Sequence, residues 1–288
     1  MMGLPTPLAV VAHDAGAANL IIAWFQAEPQ PLHGVRPVME GPAARLWAQA
    51  FPDGPTPLGL EAALDGAEAL LSGTGWASDL EHRARAEAQR RGLPSVAVID
   101  HWVNYRMRFQ RGGEEILPDR VWVTDAYAVA EAARALPELE AELKPNLYLQ
   151  AQAAAAGPPP ERGDVLFVLE PARDDWGRHQ PGEFQALDWF WRHKERLAPS
   201  GAPLRLRPHP SDPPRKYDAW LAAHPGAALD TSSDMAEALK GASTVVGLQS
   251  AALVIALAAG RRAITALPPW APPCPLPHAE IERLGPPT

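Results

Sequence analysis

A single cysteine, Cys274, stands in a chain of 288 residues. That excludes an intrachain disulfide and leaves no cysteine spacing for a metal, so the thiol reads as packed or incidental in a Pro-rich tail. Long apolar runs are also missing: none approaches the roughly 18 residues that a membrane span requires. Residues 1–7 lack a basic leader, and 8–12 are too short for a signal core, so a cytoplasmic location is expected. Positive charge is in deficit, with 26 Lys and Arg against 34 Asp and Glu and a net charge of −8. Generic nucleic-acid binding needs a basic surface and loses support, although Arg106, Arg108 and Arg111 suffice for a local basic pocket. No Gly-x-Ser-x-Gly elbow, His-Glu-x-x-His pair or phosphate-loop lysine is present, which removes the usual supports for hydrolase-triad and zinc chemistry. Ser72-Gly73-Thr74-Gly75-Trp76 has only part of a phosphate-loop pattern and reads as a tight turn. No metal and no cofactor are expected.

What is present is an ordinary globular composition, 47% hydrophobic and 21% charged. The length suits two modest domains or one large one. Proline is abundant, at 33 residues, and the Gly157-Pro158-Pro159-Pro160 cluster fits neither a helix nor a central strand. Short apolar runs alternate with helical segments from the start. Strands are predicted at 8–12, 35–39, 67–71, 95–99 and 120–124, with helices at 17–26, 42–50, 59–64, 79–91 and 126–136 between and after them. The stretch 137–163 reads as a connector holding one charged helical turn. The same grammar restarts with strands at 164–169, 204–206, 227–229, 244–246 and 263–267. Helices fall at 183–197, 217–223, 235–239 and 250–259, with a last helical stretch at 278–284. Short strands separated by helices imply parallel pairing.

The expected fold is α/β, two Rossmann-like domains facing a cleft. Residues 1–145 form the first domain, 146–163 the linker, and 164–288 the second domain with its Pro-rich tail. The aromatic stretch Trp189–Trp191 suits a core better than a dimer face, and a homodimer is one partner state that it allows.

Ligands in such sheets bind at the carboxyl ends of strands. There, Arg207-Pro208-His209-Pro210 and Gly247-Leu248-Gln249-Ser250 place His209 and Ser250 on loops expected to be neighbours. Imidazole, hydroxyl and a helix N-terminus make a phosphate clamp, with Arg207 or Arg173 adding charge; alternatively Ser250 is a simple N-cap. Glu170 and Arg173 follow the first strand of the second half, as a ligand contact or an ordinary charged loop. In the first half, His13 and Asp14 precede Gly16, whose missing side chain lets backbone approach a ligand. Asp14 is read both as a catalytic acid or base and as a helix cap. Asp100 and His101 are a candidate base with its orienting partner, although neighbours on an extended chain point apart. The Trp102–Arg106 aromatic–Arg mixture suits stacking on a sugar, or a buried interface cluster.

At these residues the chain resembles glycosyltransferases of the GT-B fold. The closer resemblance is to bacterial enzymes of surface-polysaccharide synthesis that use CMP-activated sialic acid or Kdo. His209-Pro210 matches the family's His-Pro motif and Ser250 its Ser motif, both of which hold the donor's CMP there. Asp14 before Gly16 is the best match to the acidic-Gly motif that supplies the catalytic carboxylate. The pattern is similar, too, to the non-hydrolysing UDP-sugar 2-epimerases, which have a His-Pro loop and a Ser-Gly-Gly loop in this order. Two departures stand out: Gln249 precedes Ser250 where a Ser pair is usual, and Val254 and Ile255 stand where many relatives carry a ribose-holding Glu.

The resemblance implies a nucleotide-sugar donor and a glycan or other hydroxyl acceptor. Asp14, or Asp100 with His101, would take the acceptor's proton. His209, Ser250 and Arg173 would stabilise the departing phosphate, by positioning and charge. The rivals are an epimerase or hydrolase on the same fold and a non-catalytic binding module.

Overall fold

The computed structural model describes residues 3–28, 32–172, 174–196 and 201–285. The chain divides into two compact units, Met1–Tyr148 and Leu149–Thr288.

In the first unit, β1 (Leu8–Ala12), β2 (Val35–Met39), β3 (Ala69–Ser72), β4 (Ser95–Val98), β7 (Arg120–Val123) and β8 (Glu140–Leu143) build one sheet. Its order is β2-β1-β3-β4-β7-β8, and every pairing is parallel. A small antiparallel hairpin, β5 (Gln110–Arg111) and β6 (Glu114–Glu115), stands apart from it. β1 reads Leu-Ala-Val-Val-Ala and is buried at every position, as a central parallel strand covered on both faces must be. Helices α1 (Ala15–Gln26), α2 (Gly41–Ala50), α3 (Leu60–Leu64), α4 (Leu80–Arg91) and α5 (Ala126–Ala135) supply the cover. One apolar cluster includes Leu8, Val10, Ile21, Phe25, Trp47 and Trp122; another includes Ala9, Val11, Leu70 and Leu80. Fully burying one such large side chain contributes about 1.5–3 kcal/mol. Trp24 meets Trp122 edge to face at 5.5 Å between ring centroids. The Asp125 carboxylate accepts the Ala128 N–H at 2.7 Å to start α5, and Gly92 stops α4 with φ at +67°.

Helix α6 (Leu147–Ala156) runs through the segment that the sequence presented as a connector, and β8 replaces the charged turn expected before it. The four residues of β8, Glu-Ala-Glu-Leu, favour helix by local propensity. As a charged, half-exposed edge strand they need only one neighbour, β7.

The second unit repeats the plan with β9 (Asp164–Val168), β10 (Leu204–Arg207), β11 (Ala227–Leu229), β12 (Ala242–Gly247), β13 (Arg262–Thr265) and β14 (Glu282–Arg283). Its order is β11-β10-β9-β12-β13-β14, again all parallel. β14 lies where a last helical stretch was expected; the Glu282 carboxylate takes both Arg262 Nε and Nη2 at 2.7 Å and fastens this edge. Helices α7 (Gly182–His193), α8 (Asp218–Ala223), α9 (Met235–Lys240) and α10 (Ala252–Ala258) complete the unit. Trp189 and Phe190 of α7 are in its core, and Trp191 packs edge-on against Trp220 at 5.6 Å. Buried Arg261 donates to the carbonyls of Leu239, Ala156 and Pro158 at 3.0, 3.2 and 3.4 Å, satisfying the end of α6.

Candidate functional site

Each sheet has one switch point, where chain order reverses direction across the sheet. In the first unit it falls between β1 and β3; in the second it falls between β9 and β12. Loops diverge there and open a crevice, the usual place for a ligand in an open α/β sheet.

Within the first unit the β1 loop carries His13 and Asp14. Their side chains bond to each other, Nδ1 to Oδ1, at 2.7 Å. The chain has left the strand at this point, so the rule that neighbours point apart no longer applies. Asp14 sits at the head of α1, but its side chain makes no cap hydrogen bond. Its Oδ2 instead accepts the Trp76 N–H at 2.8 Å, tying the β1 loop to the β3 loop across the switch point. Gly75 permits this: a Cβ there would lie 2.4 Å from Asp14 Oδ2. Gly16 lies against Asp100 in the same way, with Oδ2 only 1.6 Å from where a Cβ would be. Asp100 Oδ1 accepts from buried Arg108 Nη1 at 3.0 Å. His101 forms no bond with Asp100. Its ring tilts against Trp102 at 5.4 Å, and its buried Nδ1 has no partner. Burial pushes its pKa down, with Arg108 adding to the effect against Asp100. The dyad in this unit is therefore His13–Asp14, while Asp100 serves an ion pair.

Three further residues hold this site, of which only Thr74 stands in a stretch already singled out, as a tight turn. Glu81, in the first turn of α4, is 2% exposed; its Oε1 accepts the His13 N–H at 2.9 Å and its Oε2 is buried without a partner. Burial raises its carboxyl above the ordinary range, the His13 N–H opposes this, and the Asp14 charge adds to it. Arg85, one turn later, donates to the Ser72 hydroxyl at 3.2 Å and the Gly73 carbonyl at 3.0 Å. Thr74 hydrogen-bonds both the Val98 carbonyl, at 2.9 Å, and Arg108, at 3.2 Å. In sequence Glu81 and Arg85 look like the charged face of a solvated helix. Only the packing of α4 on β1, β3 and β4 turns them inward.

Within the second unit the switch point has the same device. Glu170, after β9, accepts the Gln249 N–H of the β12 loop at 3.2 Å. Burial pushes the Glu170 carboxyl up to about 7, against the opposing pull of that N–H. Glu170 and Gln249 line a cavity of about 370 Å³ with Ala172, Trp176, Leu248 and Leu267, within the range of small-ligand pockets.

His209 and Ser250 were expected on neighbouring loops. The strand order corrects this: β10 and β12 lie on opposite sides of β9, so the two residues flank Glu170. Two strand spacings, about 9.6 Å, separate their parent strands. His209 Nδ1 pairs with the Ser211 hydroxyl at 2.7 Å, and its N–H donates to Asp212 at 2.9 Å. Burial lowers the His209 pKa, outweighing Asp212, with Lys216 adding to the fall. Lys216 bridges Asp212 and Glu183 at 2.6 and 2.7 Å and so braces the loop of His209 and Pro210. The Ser250 hydroxyl accepts the Ala252 N–H at 3.0 Å, and α10 starts two residues later than the sequence suggested. Arg207, expected to supply charge to a phosphate, is instead paired with Asp230. Strand alternation sends Arg205 and Arg207 to the same face, where they share that carboxylate. Arg173 lies outside the described residues.

Among the described residues no group of three or more His, Cys, Asp or Glu side chains is placed to hold a metal ion, and no helix is long and apolar enough to cross a membrane.

No family model and no curated protein matches the sequence. Solved structures do match in fold. The UDP-GlcNAc 2-epimerase of Methanocaldococcus jannaschii is 11% identical, with 90% of this chain and 83% of that one covered and a TM-score of 0.57. The glycotransferase of kitacinnamycin is 14% identical over 98% of this chain and 86% of its own, with a TM-score of 0.58. MnaA of S. aureus, solved with UDP, is 10% identical over 90% and 78%, with a TM-score of 0.58. The fold is thus the GT-B-like one, two parallel-sheet α/β units of six strands each.

Proposed function

We propose that the protein is a glycosyltransferase acting on a nucleotide-activated sugar, with the nucleotide taken by the second unit and the acceptor by the first. The observation that carries this reading is the Glu170–Gln249 bridge on the wall of the 370 Å³ cavity. A carboxyl with a pKa of about 7 is half neutral at that pH. It then donates a hydrogen bond to a ligand and releases the Gln249 N–H to a phosphate at little cost. His209 and Ser250, on either side, supply further donors. The half-apolar lining by Leu248, Leu267 and Trp176 suits a base or a sugar face. In the transfer, the acceptor hydroxyl attacks the anomeric carbon and loses its proton to a base, while the bond from that carbon to the phosphate oxygen breaks and the nucleotide leaves. Within the first unit the His13–Asp14 pair is the base we put forward.

Uracil is the base we put forward, because similar folds include a UDP-GlcNAc 2-epimerase and a UDP complex. CMP, suggested by the sequence resemblance, has no counterpart among them. A second reading, a UDP-sugar 2-epimerase, draws on the same likeness and on His209-Pro210; it needs no acceptor.

The test is a thermal-shift series with UDP, CMP, GDP and their sugars. A ligand at 100 times its Kd adds about 2.7 kcal/mol of stability. We expect UDP to raise the midpoint, and His209→Ala and Ser250→Ala to abolish the rise. A shift with CMP alone restores the CMP donor. Silence across the series removes the nucleotide-sugar reading, and sugar isomerised without an acceptor selects the epimerase.

A further inference from the structure

The β3 loop is gripped from one side by three arginines. Arg85 Nη1 donates to the Gly73 carbonyl at 3.0 Å, Arg108 Nη1 to Thr74 at 3.3 Å, and Arg111 Nη2 to Gly75 at 2.7 Å. Two of the three are fully committed: Arg85 and Arg108 are buried, and Arg108 also pairs with Asp100. Arg111 is different. It is only half-buried, its contacts are carbonyls, and it makes no ion pair among the described residues.

The loop ends in Trp76, whose indole is 41% exposed. Its ring centroid lies 5.3 Å from the Arg111 guanidinium and 5.9 Å from that of Arg108. Its main-chain N–H is fixed on Asp14 Oδ2 at 2.8 Å. An aromatic face, a cation without a carboxylate and a candidate base from three separate segments thus meet at one short loop. Lone exposed apolar residues are common and mean little; here the indole stands beside a guanidinium that makes no ion pair among the described residues.

We propose that Trp76 and Arg111 form a binding subsite for a saccharide whose terminal sugar carries a carboxylate. The C–H face of a pyranose covers the indole. Arg111 uses two of its five N–H donors on carbonyls and has the rest for a charge-assisted pair with the carboxylate. A hydroxyl of that sugar then lies on the side of Asp14, where a transferase needs its acceptor. Calling this saccharide the acceptor rests on the transfer reading; its binding does not.

The experiment is saturation-transfer NMR on the full chain, comparing methyl β-D-glucuronide with methyl β-D-glucoside. We expect saturation of the glucuronide ring protons and a weaker signal from the glucoside. Trp76→Ala should weaken glucuronide binding up to about ten-fold, the scale of one stacking contact on the indole. Arg111→Gln should bring the glucuronide down to the level of the glucoside, and Trp76→Phe, which keeps an aromatic face, should retain binding if the alanine variant does not fold. Equal binding of the two glycosides overturns the proposal. So does binding unchanged in a folded Trp76→Ala or in Arg111→Gln, or no binding of either glycoside. A UDP shift that survives in Arg111→Gln keeps the donor reading separate. Loss of UDP binding in that variant would assign the loop to the nucleotide and overturn the inference, whereas glucuronide bound by a protein blind to every nucleotide removes only the transfer reading.

Discussion

Replacing Glu170 with glutamine should change how stability depends on pH. The half-buried carboxyl at the switch point of the second sheet is pushed up to about 7 in the folded chain, against an ordinary 4.5. At 1.36 kcal/mol per tenfold change in proton affinity, that displacement corresponds to about 3 kcal/mol. The sign follows from proton counting. Between pH 4.5 and 7 the folded state binds more protons at this site than the unfolded chain, so stability falls as pH rises through the window and levels off above it. Glu170→Gln keeps an oxygen for the Gln249 N–H and has nothing to ionise. Any fixed cost of fitting its amide is the same at every pH, so the informative quantity is the variant's difference from wild type. That difference should move by about 3 kcal/mol in the variant's favour between pH 4.5 and pH 8. Paired urea titrations at each pH measure it, because every other titrating group is common to both proteins. A difference that stays flat, or that moves toward the wild type as pH rises, would refute the placement of a buried, reluctantly ionised carboxyl at this cavity.

Other outcomes follow from single contacts. Gly75→Ala forces a Cβ to 2.4 Å from Asp14 Oδ2, displacing the carboxylate from the Trp76 N–H. Such overpacking costs about 1–3 kcal/mol, read as a lowered Tm. Asp230→Asn leaves Arg205 and Arg207 sharing no anion and should cost about 3 kcal/mol at neutral pH. Burial opposes ionisation of Asp230, but the Ser232 hydroxyl and the two arginines outweigh it and hold its pKa below the ordinary 3.8. Its contribution is therefore present above pH 3.8 and lost in stronger acid, where urea titrations of variant and wild type should converge. Arg261→Ala strips donors from the carbonyls of Leu239, Ala156 and Pro158; a loss of about 3 kcal/mol in a urea titration is expected.

Most of the scaffold could be read in the sequence because central strands of parallel sheets carry unbroken apolar runs, such as Leu8–Ala12, bounded by turn residues. Edge strands carry no such run. β8 and β14 are short, largely charged strands whose pairing is decided by a neighbour elsewhere in the chain, and both had read as helical. The polar loops were legible as loops for the same reason as the strands, and His13, Asp14, Asp100, Glu170 and Gln249 all stand at strand ends. Their partners were not legible. Strand order decides that Glu170 meets Gln249 and that His209 does not neighbour Ser250, and no local pattern encodes strand order. Glu81 and Arg85 were hidden differently, in a helix whose composition is that of a surface and whose inward face is set by three strands.

The two switch points share one device. In each, a carboxylate after the first strand accepts an N–H from the loop across the gap, Asp14 from Trp76 and Glu170 from Gln249. A crevice between diverging loops leaves main-chain N–H groups without strand partners, and a nearby carboxylate satisfies one of them. The surroundings then give the two carboxylates different chemistry. Asp14 has an imidazole on its other oxygen at 2.7 Å. At Glu170 burial outweighs the opposing Gln249 N–H and pushes the carboxyl up to about 7. A neutral carboxyl is a weaker acceptor than an anion, so its hold on that N–H loosens as it is protonated. The same backbone solution thus carries a carboxylate paired with an imidazole in one unit and a carboxyl reluctant to ionise in the other.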